Sequence, residues 1–155
     1  MIQRIQTVFL FTATLLLFLA TIFPLAKLYD ISTNTFINMF AMKIIITGNP
    51  ISILSKSLLI TGCCIYLASI LGFIAIITFK NRKLQMLITS IAMVLSFFCC
   101  IFILITSYRI MPSPDTSLTF TFTAIFPVVA FVLFFLAYKA INKDDKLVKS
   151  LDRIR

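Results

Sequence analysis

The sequence predicts an all-α integral membrane protein: four transmembrane helices in an antiparallel bundle, N-in/C-in, with one longer outer loop and a short cytoplasmic amphipathic tail. Three observations carry that expectation. The chain is 61% hydrophobic and only 12% charged, with a mean hydropathy of +1.09, far from the roughly half-apolar composition of soluble domains. Four runs contain no Asp, Glu, Lys, Arg or His, and each exceeds the roughly 20 residues that span a hydrocarbon core of about 30 Å. The charges that remain are gathered between those runs, whereas a soluble fold needs them along every exposed face.

The chain reads as a single transmembrane domain, residues 1–155, with helices at about 5–26, 57–79, 84–108 and 116–138. Arg4 precedes the first run. A secretory signal has the same order, but its apolar region is about 7–15 residues long, so an uncleaved first helix is expected, with Pro24 marking where it stops. The outer loop, 27–56, is punctuated by Asp30, Ser32-Thr33-Asn34 and Gly48-Asn49-Pro50, which are turn formers. Between them Phe36 to Ile46 is too apolar for a solvated linker. It is expected to lie on the membrane surface or fold over the bundle, with Ile44-Ile45-Ile46 a candidate extended segment.

The second and third runs flank the knot Lys80-Asn81-Arg82-Lys83 and read as a helical hairpin with a very short charged turn. In the fourth run Thr119, Thr121 and Thr123 alternate with Phe120 and Phe122. That period of two predicts an extended start, with the crossing helix beginning nearer Ala124. In the tail, 139–155, Leu147, Val148, Leu151 and Ile154 share a helical face, and Asn142 is a candidate cap. Two readings stay open there: an amphipathic helix on the membrane face, or a solvated basic tail that only sets topology.

Orientation follows from the basic residues. Arg4, the Lys80, Arg82 and Lys83 turn and the six of the tail fall on one side, against Lys27, Lys43, Lys56 and Arg109 on the other. The excess marks the cytoplasmic side, and Tyr29, Tyr108 and Tyr138 suit interfacial positions. The net charge of +9 is thereby accounted for by topology. Lys80, Arg82, Lys83, Lys143, Lys146, Lys149 and Arg153 are the candidates for contact with anionic lipid head groups. No aromatic residues interleave with them as a nucleic-acid surface would require, so no nucleic acid is expected.

The spans exclude much chemistry. Without intramembrane ionisable groups there are no parts for a proton relay, no histidine for a haem and no general base. At the outer boundary only Asp30 and Asp115 could serve, and a turn-forming Asp is the ordinary role for Asp115 in Pro112-Ser113-Pro114-Asp115. The pairs Cys63-Cys64 and Cys99-Cys100 lie inside apolar runs and lack the spacing of zinc or thioredoxin-like sites. An interhelical disulfide or soft-metal site is one reading. Cysteine as a small buried hydrophobe is favoured, because adjacent helical residues point in different directions. No catalytic, cofactor-binding or metal-binding residue is expected.

Small residues recur every fourth position: Cys64, Ala68 and Gly72 on helix two, and Ala92, Ser96 and Cys100 on helix three. Such stripes let helices approach closely in lipid, and in an antiparallel pair Cys64 would face Cys100 and Gly72 would face Ala92. Tyr66 near mid-bilayer needs a partner for its hydroxyl. Pro127 should leave the Thr123 carbonyl without its usual donor, and Thr123 is one candidate partner for Tyr66, a nearby Ser or Thr another.

Four stretches resemble a family of small bacterial membrane proteins known only as a domain of unknown function. They are Met1 to Val8 (MIQRIQTV), Phe23-Pro24-Leu25-Ala26, the turn Lys80 to Gln85 (KNRKLQ), and the end from Lys143 to Ser150 with Asp152 to Arg155. The resemblance implies a four-helix protein of the bacterial inner membrane and brings no activity. Three functional readings follow, in this order: a non-enzymatic binding, assembly or regulatory subunit; a small carrier or channel for an apolar or zwitterionic solute; a cysteine-dependent redox protein. The partners expected for the first are the lipid bilayer, a membrane-protein partner or further copies of the chain.

Overall fold

The computed structural model describes residues 2–31, 35–46, 49–53, 56–111 and 116–152. Four long helices, α1 (Ile2–Ile22), α2 (Lys56–Ile77), α3 (Arg82–Ile110) and α4 (Phe126–Asp152), are joined by five short strands: β1 (Ala26–Asp30), β2 (Thr35–Met39), β3 (Ile44–Ile46), β4 (Asn49–Ile53) and β5 (Thr116–Phe120). All four helices are long and apolar enough to cross a membrane. Their outward faces carry large apolar side chains more than half exposed, Phe11, Phe73 and Leu87 among them. Water would not tolerate so much apolar surface on a monomer.

Each helix packs on two others, α1 on α2 and α4, and α3 on α2 and α4. Three levels of contact give their directions. At one end Gln6 Nε2 donates to the Ala140 carbonyl at 3.0 Å. At mid-height Gly72 sits against Thr14 and Phe134. At the other end Thr123 Oγ1 donates to the Pro24 carbonyl. Thus α1 and α4 run antiparallel, as do α2 and α3 about their short turn. Fully buried alanines (Ala13, Ala20, Ala68, Ala75, Ala92, Ala130, Ala137) line the contacts around Leu10, Leu17 and Phe134, which is how helices gain close packing where lipid tails are as apolar as leucine.

The helix limits follow from backbone chemistry. Helix α1 ends just before Pro24, which has no N–H to continue the ladder. Thr12, Thr14 and Thr21 return their hydroxyls to carbonyls three or four residues back, so no side-chain donor is stranded there. Between α2 and α3 a single 3₁₀ turn, Thr78–Lys80, and Asn81 suffice. Pro127 lies in the first turn of α4, where a missing N–H costs nothing. The Thr123 carbonyl takes its bond from the Phe126 N–H through the 3₁₀ turn Phe122–Ile125.

The expectation of an all-α fold is corrected by the strands. They form one antiparallel sheet in the order β4-β3-β2-β1-β5, at the end of the molecule opposite the α2–α3 turn. The outer loop 27–56 therefore folds mostly into β1 to β4. Ile44–Ile46 is extended as expected, and so is the start of the fourth run, which becomes β5. The physical reason is main-chain pairing: an apolar connection cannot leave its N–H and C=O groups bare. In β1 the pattern alternates, with Ala26, Leu28 and Asp30 buried and Lys27 and Tyr29 outward. It pairs with β2 through Ala26↔Met39 and with β5 through Ala26↔Phe120. Pro50, which cannot donate to a ladder, lies in edge strand β4.

The helix bounds shift accordingly. The first helix stops at Ile22, short of residue 26, and α4 starts at Phe126, ten residues beyond the expected 116. The tail is not a separate element: it continues α4 to Asp152, so Asn142 caps nothing. Ser32-Thr33-Asn34, Gly48, Pro112 to Asp115 and Ile154 lie outside the described residues.

Candidate functional site

The end formed by the start of α1, the α2–α3 turn and the C-terminal turns of α4 gathers carboxamide and charged side chains, where the spans between carry Ser and Thr as their buried polar residues. Gln6 and Gln85 are each 5% exposed, and Asp145 is buried beside them on α4. Arg82 opens α3 and bridges to α4: Nη2 lies 3.3 Å from Asp144 Oδ2, and Nη1 donates to the Asp144 carbonyl at 3.1 Å. A guanidinium carries five N–H donors. These two contacts leave Nε–H and a second proton on each terminal nitrogen for another acceptor.

Between these groups lies a cleft of about 460 Å³, within the usual range for ligand sites, about 300–1,000 Å³. Gln6, Arg82, Gln85 and Asp144 form its polar side, and Ile76, Ile77 and Phe79 its apolar wall. The Gln6 carboxamide is tied to the Ala140 carbonyl. Among the described residues the Gln85 carboxamide has no hydrogen-bond partner, although its backbone carbonyl takes the Thr89 hydroxyl at 2.8 Å. The Gln85 amide opens onto the cleft rather than being sealed in protein, since Thr121 Oγ1 is the one buried side-chain N or O without a partner among the described residues.

A second hollow, about 310 Å³, continues along the same two helices and is lined by Phe11, Thr14, Leu15 and Phe18 of α1 and Ser69, Ile70 and Phe73 of α2. The spacing explains the continuity. Thr7, Phe11, Thr14 and Phe18 recur at three- and four-residue steps on one face of α1, as do Ser69, Phe73 and Ile76 on α2. Cleft and hollow share no lining residue but follow one another along the α1–α2 side, the first polar at the basic end and the second apolar toward mid-height; the two in succession are called the α1–α2 furrow.

The predicted residues fall as follows. Lys80 and Lys83 are exposed at the turn, and Lys143 and Lys146 on α4, while Arg82 is half-buried in its ion pair rather than on the open surface. The side chain of Lys149 and all of Arg153 lie outside the described residues, as does Asp115. Of the packing stripe, Ala68, Gly72, Ala92 and Ser96 are buried and Cys64 and Cys100 half-buried. Their partners differ from the expected seam. The atoms nearest a Cβ on Gly72 are Thr14 Cγ2 and the Phe134 ring, on α1 and α4, and Ser96 Oγ donates to the Pro127 carbonyl of α4 at 2.8 Å. At Gly72 and Ser96, then, α1 and α4 supply the nearest partners, while α2 and α3 also pack on each other.

All four cysteines are free thiols, Cys63 exposed and Cys99 buried. Tyr66 faces outward, 38% exposed, and the Thr123 carbonyl takes the Phe126 N–H instead. Among the described residues no three His, Cys, Asp or Glu side chains cluster as metal ligands do.

Residues 2–154 match the family model described as Domain of unknown function (DUF4293). The chain belongs to that family. The match takes in both terminal motifs except Met1 and Arg155, the KNRKLQ turn and every residue of the furrow. No curated protein matches the chain. Family membership agrees with the resemblance drawn from the four stretches, and it brings no reaction to this cleft.

The sequence reading missed Gln6 and Gln85. It screened the spans for ionisable residues, and glutamine is not one. A usable signal was present: Gln85 is a lone carboxamide directly beyond a basic turn, at the mouth of an otherwise apolar run.

Proposed function

We propose that this chain is a non-enzymatic protein of the bacterial inner membrane that works by binding through the cleft at its basic end. In this reading the four helices form an antiparallel transmembrane bundle with both termini and the cleft in the cytoplasm, as the excess of Lys and Arg at that end favours. The observation that carries it is a cleft of ligand size lined by Arg82 and by the Gln85 carboxamide, whose amide is reachable from the cleft and bonded to no other described residue. Among the described residues that line the cleft the one carboxylate, Asp144, is held by Arg82. A binding role in assembly or regulation uses these features; a catalytic one does not.

The test is extraction of the intact chain from its native membranes in mild detergent, followed by native mass spectrometry. A stoichiometric companion, lipid or protein, whose retention falls when Gln85 is replaced by Leu supports the reading. A chain that leaves the membrane bare under every mild detergent overturns it.

A further inference from the structure

We infer that the occupant of the α1–α2 furrow is an anionic phospholipid, its phosphate at Arg82 and Gln85 and one acyl chain along the hollow between Phe11, Phe18, Ile70 and Phe73. This rests on the binding reading above and names the ligand class. Three features of the furrow select it. The first is amphipathy in the right order: polar donors at one end, then a purely apolar floor broken only by Thr14 and Ser69. Thr14 already returns its hydroxyl to the Phe11 carbonyl, so it asks nothing of a ligand.

The second is length. From Gln6 to Phe18 the furrow follows twelve helical residues, ~18 Å at about 1.5 Å per residue. That is a little more than half of a hydrocarbon core of about 30 Å, the depth of one leaflet. A soluble metabolite would use the cleft and leave the hollow empty, whereas a two-part lipid fills both.

The third is charge. The α2–α3 turn and the last turns of α4 carry Lys80, Arg82, Lys83, Lys139, Lys143 and Lys146, against Asp144 and Asp145. Asp144 is paired with Arg82, Asp145 is buried, and Lys139 rests over the Phe135 ring at 4.6 Å. Lys80 and Lys83 are exposed on the turn, within two residues of Arg82 in the chain. The excess is cationic, and Arg82 and Gln85, three residues apart on α3, both line the cleft and carry N–H donors. Phosphate oxygens satisfy such donors by charge-assisted bonds, and basic recesses between transmembrane helices at the cytoplasmic level suit anionic head groups.

The experiment uses the full-length chain, delipidated in detergent and titrated with phosphatidylglycerol or phosphatidylcholine, bound lipid being counted by native mass spectrometry. Phosphatidylglycerol should bind saturably at one site. Gln85→Leu should weaken it roughly tenfold through loss of a hydrogen bond to a charged group, and Ser69→Phe, which fills the hollow without touching the cleft, by a similar factor. Val94→Phe, on an exposed face of α3, should leave binding unchanged. Equal binding of both lipids, or full binding to both Gln85→Leu and Ser69→Phe, overturns the inference. A protein subunit retained from native membranes and lost in Gln85→Leu would overturn the lipid while sparing the binding reading. A bare wild-type chain under every condition would overturn both. Because Ser69→Phe and Gln85→Leu sit at different heights, misfolding of one leaves the other to decide.

Discussion

At the sheet end, Leu25, Ala26, Leu28 and Met39 are fully buried, and main-chain bonds tie them from both sides: the Leu25 N–H donates to Met39 and the Thr121 N–H to Leu25. At the basic end, Gln6, Gln85 and the Arg82–Asp144 pair surround an open cleft. The two ends face the same problem, polar groups beside apolar helices. The sheet end closes it with backbone partners from segments far apart in the chain, and among the described residues it leaves only the Thr121 hydroxyl buried without a partner. The basic end leaves a carboxamide and guanidinium donors lining a cleft. A sealed end serves to hold the helices; an end with spare donors serves to hold something else. Substitutions at the sheet end should therefore act on stability, and those at the basic end on binding.

The largest effect should come from Met39→Ala. Met39 is fully buried under the sheet, with Ser107 Oγ 3.7 Å from its sulfur. Removing it should cost about 3 kcal/mol, the transfer and cavity terms together, read as an earlier midpoint when the detergent-solubilised chain is unfolded with SDS. An unchanged midpoint would mean that the sheet is not packed on the helices. Next comes Gly62→Leu. A Cβ at Gly62 would already crowd the Met42 side chain and lie 3.0 Å from the Ala41 carbonyl oxygen, so α2 would have to shift from the β2–β3 hairpin. Overpacking of this kind costs about 2 kcal/mol. Lipid binding at the far end should survive in whatever fraction remains folded, which the same native mass spectra would show.

The contrast between the ends was only half legible in the sequence. The spans were readable because lipid-crossing helices need long charge-free runs, and such runs are conspicuous. The sheet was not, because its strands are three to five residues long and its decisive pairings join β1 to β5, as in the bond from Thr119 Oγ1 to the Lys27 carbonyl at 3.0 Å. No local pattern announces a partner ninety residues away. Local hints did exist in Ile44–Ile46 and in the Thr–Phe alternation after Thr116, and both proved extended. At the basic end Lys80, Arg82 and Lys83 stood out by charge. That Arg82 turns inward to Asp144 while its neighbours stay exposed depends on where α4 continues, and the apolar run before Lys139 gave no sign that the helix would pass beyond it.

Smaller effects sharpen the basic end. In a double-mutant cycle of Arg82→Gln and Asp144→Asn, the coupling should be about 1 kcal/mol, since both side chains keep some contact with solvent, 25% and 15% exposed. That coupling should weaken as salt rises from low to high ionic strength. A coupling that is large and indifferent to salt would instead make the pair a buried structural element and take Arg82 out of ligand reach.

The smallest effect on stability is expected for Gln85→Leu, and it separates the two ends most sharply. A buried polar group that is hydrogen-bonded loses stability when truncated, whereas one without a partner has only its desolvation to lose. Ser96 belongs to the first kind, since its hydroxyl donates to the Pro127 carbonyl at 2.8 Å, and Ser96→Ala should cost about 1 kcal/mol. Gln85 belongs to the second. Leucine of similar volume should leave the delipidated chain within about 0.5 kcal/mol of wild type, or slightly firmer. In the presence of anionic phospholipid the order reverses: wild type gains stability as ligand accumulates, by mass action, and Gln85→Leu gains much less. If the variant is destabilised equally with and without lipid, Gln85 is a structural residue and the cleft loses its one spare amide. If the gap opens only with lipid, the carboxamide is held in reserve for a phosphate, and the basic end differs from the sheet end in purpose as well as in composition.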